Sequence, residues 1–229
     1  LEQQLDKAFA EVLARPSSAA SVASNSTRLD ANSKIYQATF HTANWEGKFL
    51  SFDLDDITGS IAQTAEWNAA TLIPSAASRK IYSYNPVTDN AFEFSDVANF
   101  TSVQLDDLNR DANGTTDDLA EQRIAFLRGD QTNEEKNSGV FRNRTSLLGD
   151  IINSDPVFVG RTSDFGYSLF PGAEGSSYIN YRVSKSSRTQ ALYFGANDGM
   201  FHAINADDGN ELFTYVPDAV IGSLNLLTS

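Results

Sequence analysis

The chain has 229 residues, 41% of them hydrophobic and 11% aromatic, enough apolar mass to bury a sizeable core and too much for disorder. It contains no cysteine, which excludes disulfide scaffolds, thiolate zinc sites and thiol catalysis. Seventeen Lys and Arg against thirty Asp and Glu leave a net charge of −13, which argues against nucleic acid or an anionic membrane as partner and favours cations.

The opening LEQQLDKAFAEVLARP places Leu1, Leu5, Phe9 and Leu13 at helical spacing and breaks at Pro16, predicting an amphipathic helix over 2–15. The small, polar stretch that follows reads as loop or weak strand. Then IYQATFHT and KFLSFDLD, joined by the turn-prone ANWEG, alternate as a hairpin with Leu50, Phe52 and Leu54 on one face. AEWNAATLI reads as a short helix, and RKIYSYNP and AFEFSD as short strands. TTDDLAEQRIAFLRGD reads as a helix over about 117–127 with Thr116 at its N-cap. Strands return in IINSDPVFVG, SYINYRV, ALYFGAND, GMFHAINAD and ELFTYVP, several separated by Asn-Asp-Gly or Asp-Asp-Gly turns, and a helix-like stretch closes the chain at Leu224–Ser229. Many short strands with regular turns favour a sandwich, barrel or propeller, largely antiparallel over 35–216. No apolar run approaches the ~18 residues that span a bilayer. Beginning at Leu1 without a charged, apolar leader, the chain reads as a piece of a longer polypeptide whose export signal would lie upstream.

The run ALYFGANDGMFHAINADDGNELFTYVPDAV at 191–220 resembles a blade hairpin of quinoprotein-like propellers and of the PilY/PilC family of type IV pilus tip proteins. Its Asn197-Asp198-Gly199 and Asp208-Gly209 turns want φ > 0 at glycine. Together with FRNRTSLLGDIINSDPVFVG at 141–160 and IYQATFHTANWEGKFLSFDLD, it matches the order of segments in the C-terminal domain of the pilus proteins, over roughly 30–225. The resemblance implies a mainly β fold, a partial propeller of the modified quinoprotein-like kind. Residues 1–34 would form a helix and linker, and 35–229 part of the propeller, with an insertion at about 105–130. At about 40 to 45 residues per blade, the chain holds about four blades at most.

Within that insertion NRDANGTTD places Asn109, Asp111, Asn113 and Asp117 at alternate positions, with Gly114 for a sharp turn and Thr115 offering its carbonyl. Hard Ca²⁺ suits such oxygens, although the first ligand is Asn and the twelfth-place Glu of an EF-hand is missing. The loop resembles the calcium loop of the pilus family, which ends at its ninth position with Asp, here Asp117. The same residues also suit a polar loop that caps the next helix. Arg128-Gly129-Asp130 is a cell-adhesion tripeptide, and the resemblance implies integrin binding through an accessible RGD. Read structurally, Gly129 is the left-handed cap of a helix. His41 and His202 fall in strand-like segments without a nucleophile motif and read as packing or surface residues. Trp45 and Trp67 read as packing anchors.

Three functions compete. A quinoprotein-like enzyme would need a full propeller, a cofactor clamp and a catalytic carboxylate that the sequence does not identify; a structural or carbohydrate-binding propeller needs none of these. The resemblance implies a third, in which a calcium-binding, non-enzymatic protein at the pilus tip or outer surface, contacting pilin and minor pilins and host integrin, regulates pilus extension and retraction and adheres to cells.

Overall fold

The computed structural model describes residues 18–24, 33–41, 46–161 and 164–229. The helix expected at 2–15 and the turn around Trp45 lie outside these residues.

The first sheet is antiparallel and runs in chain order: β1 (Ser18–Ser24), β2 (Lys34–His41), β3 (Glu46–Asp53) and β4 (Trp67–Asn68). The expected hairpin is β2–β3, with Ile35 opposite Phe52 and Ala38 opposite Phe49. Period-two alternation sends side chains to opposite faces. Phe52, Leu54 and Ile61 therefore join Ile35 in one apolar cluster, with Leu50 packed against it, while Tyr36, Ala38 and Phe49 enter another. Trp67 is drawn into the sheet opposite Ser51. Only a single 3-10 turn, Ala69–Thr71, follows it in place of the expected helix, with the Asn68 side chain accepting from the Ala70 N–H.

The second sheet contains β5 (Ile81–Asn85), β6 (Asn90–Glu93), β7 (Val157–Val159), β8 (Ala191–Gly195), β9 (Phe201–Asn205) and β10 (Glu211–Tyr215), in the order β6-β5-β10-β9-β8-β7. Strands β7 to β10 make a four-stranded antiparallel meander, the unit of a propeller blade. The β5–β6 hairpin adds to its β10 edge through a parallel pairing. Neither sheet closes on itself among the described residues. The turns anticipated from Asn-Asp-Gly and Asp-Asp-Gly are present, with Gly199 at φ 82° and Gly209 at φ 76°.

Among the described residues there are four α-helices: α1 (Ser102–Leu108), α2 (Ala120–Arg128) and α3 (Ala173–Ser184) lie between strands, and α4 (Asp218–Ile221) follows β10. Helix α1 was not anticipated, yet Thr101 and Gln104 form a capping box, a T-x-x-Q signal visible in the sequence. Helix α3 corrects the strand expected at SYINYRV. Among the described residues no strand pairs with this stretch, and Tyr178 and Tyr181, three residues apart, stack with centroids 6.2 Å apart, a contact that helical spacing provides and strand alternation does not.

Two cores follow. Tyr36, Phe49 and Trp67 of the first sheet pack against Leu192, Phe194 and Ile204 of the second, with the Phe49 and Phe194 rings 4.5 Å apart. The other gathers Ile81, Phe94, Met200 and Val216 with Leu108 of α1, Ile124, Phe126 and Leu127 of α2, Ile221 of α4 and Leu224. The meander is thereby held by a sheet on one side and by helices on another.

At Gly209 a Cβ would come within 2.7 Å of the Trp67 ring, whereas at Gly114, which has a similar positive φ, nothing lies within 4 Å. Gly114→Ala should therefore cost about 1 kcal/mol from the left-handed backbone alone. Gly209→Ala should cost on the order of 3 kcal/mol, because the indole must also move. Urea denaturation of the two variants checks the difference.

Candidate functional site

The segment expected to bind metal is the joint between α1 and α2. Asn109 ends α1 through its N–H on the Leu105 carbonyl (2.9 Å). Its side-chain oxygen then accepts the N–H of Ala120, the first residue of α2, at 2.8 Å. One asparagine thus caps both helices. Asp118 sits at φ 57°, and α2 starts at Ala120 instead of directly after Thr116, which pairs back with Arg110. The expected Thr116 cap is corrected accordingly.

Between the helices the loop closes on itself. The Asp111 N–H donates to the Thr115 carbonyl (2.8 Å), and the Asp117 N–H donates to the Asn109 carbonyl (2.9 Å). The Asp111 carboxylate accepts the N–H groups of Asn113 (2.9 Å) and Thr115 (2.8 Å). Arg123, almost fully buried, clamps the far end: its guanidinium donates to Asp117 Oδ1 (2.8 Å), pairs with Oδ2, and reaches the Leu108 carbonyl (2.7 Å) and Thr228 Oγ1 (3.2 Å). That pairing, working against burial, holds the Asp117 carboxyl below its ordinary range.

The five sequence-predicted ligands are therefore brought into one loop, with the oxygens of Asn109, Asp111, Thr115 and Asp117 already engaged. The bonds on Asp111 are compatible with a cation, since a carboxylate has further lone pairs. Those on Asn109 and Asp117 would compete with one: the Asn109 oxygen caps α2, and the Asp117 carboxylate is already paired with a guanidinium. A cation at this loop would therefore compete with contacts already made, and among the described residues no group of three or more His, Asp or Glu is placed to hold a metal.

Arg128-Gly129-Asp130 ends α2. Gly129 at φ 112° is its left-handed cap. The Gly129 N–H bonds the Phe126 carbonyl (2.8 Å) and the Asp130 N–H the Ala125 carbonyl (2.9 Å), a Schellman arrangement. The accessibility expected of the tripeptide does not extend to Arg128. Its guanidinium is buried on the carbonyls of Phe94 (3.0 Å), Ala76 (2.8 Å) and Arg79 (3.0 Å), and burial pulls it below the usual arginine range.

Sequence reasoning missed a buried charge network beside this helix end. Arg79 makes a two-pronged bond to Glu211, 2.8 Å from Nε and 2.7 Å from Nη2, while Nη1 reaches the Arg128 carbonyl at 3.2 Å. His202, wholly buried in β9, has Nε2 3.1 Å from Asp198 and Nδ1 3.4 Å from Glu211. Asp198, anticipated only as a turn residue, also accepts the N–H groups of Gly149 and Met200, each at 3.1 Å. Burial opposes the charge on His202, but Asp198 and Glu211 outweigh it and carry the imidazole up to about 9. Both carboxyls lie below their ordinary range despite burial, Asp198 through His202 and Glu211 through His202 and Arg79. His202 is indeed a packed residue, as expected, but a cationic one. Asp198 also lines an open cleft of about 300 Å³ with Arg142, Arg144, Leu148 and Asp150.

The sign of the pH dependence follows. His202 is raised from about 6.5 in the unfolded chain, so its contribution is complete below that pH and is lost as pH rises through about 9. Asp198 and Glu211 are depressed, so theirs is present above about pH 4 to 4.5 and lost on acidification. The urea midpoint should fall between pH 6.5 and about 9, and the fall should flatten in His202→Gln, which keeps a donor for Asp198 but does not titrate. The imidazole resonances of the unaltered chain report the same titration by NMR.

Residues 148–223, which include the β7–β10 meander and both network carboxylates, match the family model described as the PilY1 beta-propeller domain. The chain is 33% identical over 243 aligned residues to the type IV pilus biogenesis factor PilY1 of Pseudomonas aeruginosa strain PAK, covering 99% of this chain and 21% of that protein. It is 32% identical over 221 residues to a PilY1 homolog of Xylella fastidiosa strain Temecula1, covering 96% of this chain and 17% of the relative. A second homolog from the same strain is 30% identical over 266 residues, with 100% and 18% covered. The chain thus spans about a fifth of the length of these relatives. No solved structure gives a significant match. Over nearly its whole length the chain is thus similar to a segment of PilY1 type IV pilus biogenesis factors, with residues 148–223 matching their propeller domain.

Proposed function

We propose that this chain is a non-enzymatic segment of a type IV pilus biogenesis factor acting at the pilus or the cell surface, where it contacts pilin and minor pilins. The observation that carries the reading is the match of nearly its entire length to PilY1 proteins, with the β7–β10 meander inside the matched propeller domain. Its buried ion pairs and packed cores suit a scaffold that must keep its shape under load. Removing residues 148–223 from the parent gene should lower surface piliation to the level of a full deletion of that gene. Unchanged piliation would reject the proposal.

A regulatory calcium site at Asn109, Asp111, Asn113, the Thr115 carbonyl and Asp117 is the finer reading, supported by the alternation of oxygen-bearing side chains. With Arg123 on Asp117 and Ala120 on Asn109, uptake should be weak, in the range of about 10⁻⁴ to 10⁻³ M. Calorimetry on the wild type and on Asp117→Ala tests it: weak binding lost in the variant supports the site, while no binding by either protein, or equal binding by both, makes the loop a helix joint alone. Adhesion through Arg128-Gly129-Asp130 would require the end of α2 to open and release Arg128 from its three carbonyls. Integrin capture that is lost in Asp130→Glu would support that role, and capture unaffected by the substitution would remove it.

A further inference from the structure

The meander contains one disproportionate connection. Strands β8 and β9 are joined by residues 196–200, and β9 and β10 by 206–210, but β7 and β8 are separated by residues 160–190. This excursion differs from the rest of the chain. It carries Arg161, Arg182, Lys185 and Arg188 against Asp164 and Glu174, in a protein whose net charge is −13. It is also apolar at its surface. Within α3 only Gly175 is buried, and Leu169 is 85%, Val183 67% and Phe165 59% exposed.

The excursion is nevertheless ordered by specific contacts. Arg182 pairs with Asp164 at 2.8 Å, the Tyr167 ring meets Tyr178 edge-on at 5.3 Å, and Arg161 donates to the Arg188 carbonyl at 2.9 Å. These contacts shape a cleft of about 240 Å³ whose lining includes Val159, Phe165, Tyr181, Lys185 and Arg188. Two cationic groups in it lack an anion among the described residues. Lys185 Nζ lies 5.5 Å over the Tyr181 ring, with no carboxylate partner among the described residues. Arg188 donates through Nη2 to the Gly160 carbonyl, but its Nε is buried with no acceptor.

We propose that this cleft is a docking site for an acidic segment of a partner polypeptide, one carboxylate entering between Lys185 and Arg188 while apolar neighbours cover Phe165 and Tyr181. Charge complementarity selects the occupant. A short acidic segment meets only the cationic excursion, whereas an anionic bilayer or a nucleic acid presents charge over a wide area and is repelled by the remainder of the molecule. Apolar anchors are needed as well, because exposed aromatic rings beside arginine are the composition of interaction hot spots. The charges steer and orient the segment, and the rings supply the buried area.

Fluorescence anisotropy of the full chain with labelled peptides tests the proposal. The probes are an acidic peptide of mixed Glu and Leu, its Lys-and-Leu counterpart and an all-Glu peptide, set against phosphatidylglycerol vesicles. The Glu-and-Leu peptide should bind best and weaken as salt rises from about 50 to 300 mM. Its affinity should fall by about tenfold or more in Lys185→Glu and in Phe165→Ser, both exposed positions at which the melting temperature should be unchanged. Four results would overturn the proposal: no binding of the Glu-and-Leu peptide, equal binding of the Lys-and-Leu peptide, unchanged affinity in both variants, or a preference for the vesicles.

Discussion

The Arg79–Glu211 pair and the His202–Asp198 pair that joins it hold the molecule at the place where its parts meet. Arg79 precedes β5, Glu211 opens β10, His202 lies in β9, and Asp198 comes from the turn that leads into β9. Two positive and two negative groups share one buried site. Breaking such a set by removing one member costs about 3 to 5 kcal/mol, because its partner is left charged and dry. The network also fixes register. The parallel junction of β5 to β10, on which the β5–β6 hairpin depends, is made where Arg79 reaches across to Glu211.

The same economy recurs along the chain. In a protein with an excess of acidic residues, four arginines are buried among the described residues: Arg79, Arg123, Arg128 and Arg144. Each guanidinium donates to at least one backbone carbonyl at the end of a helix or loop. Arg144 takes the Phe126 carbonyl at 2.6 Å and the Asp130 carbonyl at 2.7 Å while pairing with Glu134. Arg128 and Arg79 cross-bond around the end of α2. Five donors in a rigid fork let one arginine satisfy several orphan carbonyls, a task lysine performs poorly. Two of these arginines carry their counter-charge inside with them, Arg79 with Glu211 and Arg144 with Glu134, whereas the excursion between β7 and β8 carries cations at the surface.

These arrangements bear directly on the two motifs that the sequence advertises. The oxygens of the 109–117 loop serve first to join two helices, and the arginine of the RGD serves first to close the end of α2. Any ligand at either place competes with an internal contact that is already made. Stability of the helix joint and exposure of either motif are therefore coupled.

Local pattern was enough for several elements. Alternation in IYQATF and KFLSFD determined the β2–β3 hairpin and its faces, because period two is a property of the strand itself. Glycine at positions 199 and 209 determined the turns of the meander, because left-handed backbone needs no knowledge of the rest of the fold. Gly129 as the end of α2 was legible for the same reason. Helix α1 was legible through Thr101 and Gln104, although the pattern is easily passed over beside the acidic run that follows. What lay beyond the sequence were the long-range encounters. Nothing near Arg79 or His202 in the chain announces Glu211, since the pairing of Arg79 with Glu211 exists only once β10 lies against β5. Tertiary structure likewise decided that SYINYRV is helical, since its alternation found no strand to pair with. It decided too that Arg123 occupies Asp117 and that Arg128 is buried. A motif states which atoms are available; only packing determines which of them are already bonded.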